Sequence, residues 1–235
     1  MAVTTRAVKG SALTHTEVDT NFTDLRDGVD MQYPKTKGLG IKVDSLGTPT
    51  FPWIDLFGTG LQIDSAGNPP TFATYRNGLK ANQFNEVAND EAFIDFHIPH
   101  DYVMGSDIFI HIHWSQISTT LTGGSCTWGF EYIYAKGHDQ AAFPASKTVT
   151  ILQNASTTQY QHMIAEDALS ITSGSASLID SDDLEPDGII QMRVYLDSND
   201  LTDSVTPPDP FVHMVDIHYQ STGLGTKQKA PDFWT

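Results

Sequence analysis

Asp107-Ile108-Phe109-Ile110-His111-Ile112-His113-Trp114 is the stretch that decides the fold. Read with a period of two, Ile108, Ile110, Ile112 and Trp114 share one face, while Phe109, His111, His113 and Ser115 share the other. An apolar face backed by a mixed one predicts a strand half-buried in a β-sandwich or barrel. Two histidines at i and i+2 point the same way. The strand that supplies the core therefore also raises the question of a metal.

The same alternation recurs on either side. Residues 92–98 turn Ile94, Phe96 and Ile98 inward and Asp95 and His97 outward, and Pro99 stops the strand. Earlier, residues 71–76 and 79–84 flank Asn77-Gly78, a type I′ hairpin signal. Later, residues 126–135 place Trp128, Phe130, Tyr132 and Tyr134 on a single face. This aromatic stripe is expected to be core or subunit interface, and it is the candidate interface or binding face. Residues 147–153 and 158–164 are expected to pair around Asn154-Ala155-Ser156-Thr157, and 189–197 and 211–219 to be further strands. Many strands separated by loops, with no helices between them, predict an all-β antiparallel sandwich, jelly-roll-like, preceded by an N-terminal helical and extended docking arm. The expected divisions are an arm at 1–32, an extended linker with short strands at 33–69, a sandwich body at 70–222 and an extended tail at 223–235.

Composition narrows the function. A formal charge of -16 over 235 residues opposes binding to a phosphate backbone, which needs a basic stripe. No apolar run is long enough to span a bilayer, and the residues after Met1 lack the apolar core of a signal peptide. The single cysteine, Cys126, excludes an intrachain disulfide framework and suits synthesis in a reducing cytoplasm.

The N-terminal segment has a different texture. Thr14 followed by Glu17 is a capping-box pattern. Val18, Phe22 and Leu25 then repeat at i, i+4 and i+7, and Gly28 ends the pattern. So short a helix needs a surface to dock on, and Leu13, Val18, Phe22 and Leu25 are its candidate docking residues. The run Gly10-Ser11-Ala12-Leu13-Thr14-His15-Thr16-Glu17-Val18-Asp19-Thr20-Asn21-Phe22 resembles a segment near the N-termini of tailed-bacteriophage virion proteins, tail fibres among them. The body, with Phe96-His97-Ile98-Pro99-His100-Asp101-Tyr102, and the tail Gly225-Thr226-Lys227-Gln228-Lys229-Ala230-Pro231 are similar to short phage proteins. The resemblance implies a virion component made in the host cytoplasm. Its partners would be capsid, portal, collar or tail proteins and its own copies in a homotrimer, with neither nucleic acid nor membrane among them.

Three constellations bear on chemistry. Gly105, five residues, then His111-Ile112-His113 is similar to the opening of the cupin metal motif, but Ile117 and Ser118 stand where a glutamate belongs. His97, His100, His213 and His218 are further potential ligands. Asp180, Asp182, Asp183, Glu185 and Asp187 form an acidic turn without the glycine and glutamate of an EF-hand. Carboxylate pairs such as Glu166 and Asp167 occur without a nucleophile elbow or a phosphate loop. The expectation is a non-enzymatic virion structural protein of decoration or fibre type, with no cofactor and with His111 and His113 structural rather than metal-bound. The alternatives are a receptor- or glycan-binding tail-fibre module, with a host surface glycan as partner, and a cupin-like metal-dependent enzyme.

Overall fold

Alternating side chains become alternating burial on strand after strand. The computed structural model describes residues 10–19, 21, 42–43 and 49–223. In chain order the strands are β1 (Lys42–Val43), β2 (Pro49–Thr50), β3 (Trp53–Phe57), β4 (Thr71–Arg76), β5 (Leu79–Gln83), β6 (Glu91–His97), β7 (Phe109–Ser115), β8 (Leu121–Gly123), β9 (Ser125–Ala135), β10 (Lys147–Asn154), β11 (Met163–Ala168), β12 (Ser170–Ile171), β13 (Ile179–Asp180), β14 (Ile189–Asn199), β15 (Thr202–Asp203) and β16 (Phe211–Gln220). The chain divides into two compact units, Met1–Pro52 and Trp53–Thr235.

In the first unit, residues 15–19 and 21 are helical. The capping box forms as the sequence predicts. The Glu17 carboxylate accepts from the Thr14 N–H at 2.7 Å, and Thr14 Oγ1 accepts from the Glu17 N–H at 3.3 Å. Leu13 and Val18 are half-buried. Phe22, Leu25 and Gly28 lie outside the described residues, as does the tail beyond Gly223. β1 and β2 pair antiparallel.

The second unit is an antiparallel β-sandwich of jelly-roll type. One sheet has the order β10-β9-β14-β6. The other runs β11-β7-β16-β5-β4. The far edge of β16 is shared: Phe211 and Val212 pair with β5, and Asp216 to Gln220 pair with β3. The segment after β3 then crosses to the four-stranded sheet and lines β6, where Thr59 N donates to Asp95 O (3.0 Å) and Gln62 exchanges backbone bonds with Phe93 (2.7 and 2.9 Å). Gly58 makes this crossing possible, since a Cβ there would lie 2.6 Å from Ile94 Cγ1 and 2.7 Å from Asp95 O. The β4–β5 hairpin turns through Asn77 and Gly78, with φ of 52° and 81°, as a type I′ turn requires.

Ile110, Ile112 and Trp114 of β7 meet Trp128, Phe130 and Tyr132 of β9 in the core, all at 1% exposure or less. Trp128 sets its ring edge-on against Phe84 and Trp114, at centroid distances of 5.9 and 5.7 Å. Two sequence expectations are corrected. Trp53–Phe57, assigned to the linker, is a strand of the body, because its backbone completes the edge of β16. The expected pairing of 147–153 with 158–164 does not form: residues 158–162 are loop, β10 joins β9 in one sheet, and β11, which begins only at Met163, joins β7 in the other. The connection instead crosses the sandwich edge, with Tyr160 N donating to Gln116 O at 2.9 Å.

The two core tryptophans differ in one respect. Trp114 Nε1 donates to Gln153 Oε1, whereas Trp128 Nε1 is buried with no hydrogen-bond partner among the described residues. Phenylalanine at either site removes similar volume, but only Trp114→Phe breaks a hydrogen bond. Urea unfolding should therefore find Trp114→Phe less stable than Trp128→Phe by about 1 kcal/mol. Equal losses would show that the Gln153 bond contributes nothing.

Candidate functional site

The face of β7 turned away from the core carries His111 and His113, and strand register decides what lies beside them. β11 sets Glu166 opposite His111. On the other side β16 sets Asp216 opposite His111 and His218 opposite Phe109, and β3 sets Asp55 opposite His218. A bulge between Val212 and Met214 makes this arrangement. Simple alternation from buried Val212 would turn Asp216 and His218 into the core. The extra residue, His213, inverts the phase, so Val215, Ile217 and Tyr219 face inward and Asp216 and His218 face the histidines.

The cluster is held by its own polar contacts. His111 Nε2 bonds the Glu166 carboxylate, and His218 Nε2 pairs with Asp55. His113 Nδ1 lies 2.8 Å from His162 Nε2, and the two rings stack with centroids 5.0 Å apart. His113 Nε2 approaches Asp216 Oδ1 to 2.9 Å, and His218 packs on His111 at 3.7 Å between centroids. Farther along, Ser115 Oγ stands 2.8 Å from His213 Nε2 and 2.9 Å from Tyr75 Oη. His111, His113, His162, His213 and His218, five of the chain's nine histidines, thus share one sheet face. His111 is 4% exposed and Asp216 only 1%. Burial pushes the Asp216 carboxyl above the usual carboxylate range, and the imidazoles of His113 and His111 partly oppose the rise. Burial, with His162 and His113 nearby, pushes the His213 imidazole down.

Three groupings have metal-ligand spacing: His111 with His113 and Asp216, His111 with Glu166 and His218, and Asp55 with Asp216 and His218. Sequence reading singled out His111 and His113 and named His213 and His218 as possible partners. It missed Asp216 and Asp55. The available signal was the alternation Val215, Asp216, Ile217, His218, Tyr219, a second apolar-in, polar-out strand with chemistry on its polar side. Beside the cluster, Trp53, Phe109, Glu166 and His218 line a cleft of about 240 Å³. Trp53 meets Phe109 edge-on at 5.4 Å and stays 49% exposed.

Other candidates resolve differently. Trp128, Phe130, Tyr132 and Tyr134 are buried between the sheets and form no exposed binding face, because both sheets need large apolar side chains to fill the layer between them. Cys126 is fully buried, and burial pushes its thiol above the ordinary range. The acidic turn is held by protein partners. Asp180 Oδ1 accepts from Asp182 N (3.0 Å) and Ser173 N (3.1 Å), and Lys136 pairs with Asp183 at 2.6 Å. Glu185 accepts from Asp139 N at 2.8 Å, while Asp187 Oδ1 receives both His97 and His100 at 2.9 Å. No helix among the described residues is long and apolar enough to cross a membrane.

No family model and no curated protein matches the chain. Solved structures with a related arrangement include the CBM22-1–GH10 modules of Clostridium thermocellum xylanase 10B complexed with xylohexaose. That match has 10% identity and a TM-score of 0.33 over 72% of this chain, and the chain spans 26% of the xylanase structure's length. The xylan-binding module CBM15 matches at 11% identity and a TM-score of 0.35, covering 74% of this chain and all of that one. A CBM28 module specific for non-crystalline cellulose matches at 14% identity and 0.26, covering 66% and 85%. Likeness this slight carries nothing about ligand or activity.

The acidic turn supplies a direct check. Asp180→Ala removes the acceptor for two backbone N–H groups and should lower stability by about 1 kcal/mol in chemical denaturation, the usual value for a lost cap. An unchanged midpoint would mean that solvent replaces the carboxylate.

Proposed function

We propose that the chain is a non-enzymatic structural protein of a tailed-bacteriophage particle, joined to head or tail through its N-terminal arm, with the β-sandwich as its functional body. The observation that carries this reading is the reciprocal cap between Thr14 and Glu17, formed within the Gly10–Phe22 run that resembles phage virion segments and in a unit separate from the sandwich. A short isolated helix is unstable alone in water. Its half-buried Leu13 and Val18 suit a docking element more than a free peptide. Exposed apolar side chains on the body, Trp53, Ile54 and Phe57 on β3 and Phe72 and Leu79 on the β4–β5 hairpin, offer surface for neighbouring copies in a homotrimer or for other virion proteins.

A second reading, a host-glycan receptor module, rests on the cleft of Trp53, Phe109, Glu166 and His218. An exposed indole beside hydrogen-bonding side chains suits stacking on a sugar ring while its hydroxyls are bonded at the rim. The buried stripe of β9 has no part in it.

Deleting residues 1–30 should leave a body with unchanged β-type circular dichroism while abolishing incorporation into particles. Incorporation at the wild-type level would remove the arm as the anchor. For the second reading, a glycan array should show at least one binder whose affinity falls tenfold or more on Trp53→Ala. An array without binders would dismiss that role.

A further inference from the structure

On the outer face of the six-stranded sheet, one ligand atom from each of His111, His113 and Asp216 lies within 4.8 Å of the other two. Each of these residues also carries a buried polar atom without a hydrogen-bond partner among the described residues: His111 Nδ1, His113 Nε2 and Asp216 Oδ1. Folded proteins leave few such atoms, and each needs an explanation. His113 Nε2 and Asp216 Oδ1 are 2.9 Å apart but lack hydrogen-bonding alignment, so neither satisfies the other. A proton placed between them would still leave His111 Nδ1 orphaned.

The remaining ring nitrogens explain which atoms are spare. The Glu166 carboxylate holds His111 Nε2, and His162 Nε2 faces His113 Nδ1 at 2.8 Å. Imidazoles that bind metals are commonly oriented this way, with an acceptor on the second nitrogen that sets the tautomer. With Glu166 accepting the His111 Nε2 proton, the free lone pair is on Nδ1. With His162 accepting the His113 Nδ1 proton, it is on Nε2. These are the two unpartnered nitrogens.

We propose that His111, His113 and Asp216 bind one divalent first-row transition metal ion, which ties β7 to β16. Two imidazoles and a carboxylate match zinc, iron or manganese in donor type, and the nitrogen donors disfavour calcium or magnesium. One carboxylate with two neutral imidazoles leaves a single negative charge for the cation to meet. The other two groupings are less suited, since His111 with Glu166 and His218 with Asp55 already satisfy each other. The site stands independently of any role in a virion.

Untagged full-length protein, stripped with chelator, should be titrated with Zn²⁺ and in parallel with Mn²⁺ and Fe²⁺, with metal content read by elemental analysis after gel filtration. At least one metal should be retained at one ion per chain and raise Tm as its free concentration grows. Glu166→Gln and His162→Ala alter exposed outer partners and should keep the circular dichroism spectrum while weakening affinity about 10–100-fold. Asp216→Asn should abolish stoichiometric uptake, and His97→Ala, outside the cluster, should not change it. If Asp216→Asn fails to fold, the two outer variants decide the matter. Wild-type protein that retains no metal at stoichiometry overturns the proposal, as does uptake insensitive to both Glu166→Gln and His162→Ala.

Discussion

The antiparallel pairing of β7 with β16 is the constraint on which the rest depends. Its register aligns Ile110 with Ile217, Ile112 with Val215 and Trp114 with Val212, and the inward side chains of both strands are fully or almost fully buried. Burying one large apolar side chain contributes about 1.5–3 kcal/mol, so this strand pair supplies a large part of the driving force for one layer of the core. The opposing sheet answers with the aromatic stripe of β9. A slip of one residue between β7 and β16 would turn isoleucines to solvent and histidines into the core. The core therefore holds the register, and the register places the histidines.

The bulge at His213 is where these demands meet. Before it, Phe211 and Val212 are both buried; after it, Val215, Ile217 and Tyr219 face inward. One added residue inverts the phase of the strand and sends Asp216 and His218 to the polar side. An ionised carboxylate at 1% exposure is costly unless it is compensated. Burial dominates at Asp216 despite the neighbouring imidazoles, and the proposed cation would supply compensation. Sheet curvature, core phase and the chemistry of the outer face are thus one geometric problem with a common solution.

Under the proposed function, the two units would do different kinds of work. Among the described residues, the sandwich has a continuous core from Phe84 to Tyr219. In the first unit, the described start of the helix is held by the reciprocal Thr14–Glu17 cap. The proposed attachment through the arm and the proposed metal binding on the sheet face draw on different residues.

By itself the sequence determined the class of fold and most of its strands. Period-two alternation at residues 108–114 and 92–98 is a local property, because neighbouring side chains on a strand must face opposite sides. The Asn77-Gly78 turn and the Thr14–Glu17 cap are equally local and appear as read. Only the tertiary structure decided which strands are neighbours: that β3 completes the edge of β16, that β10 and β11 lie in different sheets, and that the aromatic face of β9 is core rather than interface. The candidate site was legible only in half. His111 and His113 announce themselves two residues apart, whereas Asp216 lies more than a hundred residues away and reaches them only through a long-range pairing and a bulge. Pairing is a contest among all strands for partners and core volume, and no stretch of sequence contains its outcome.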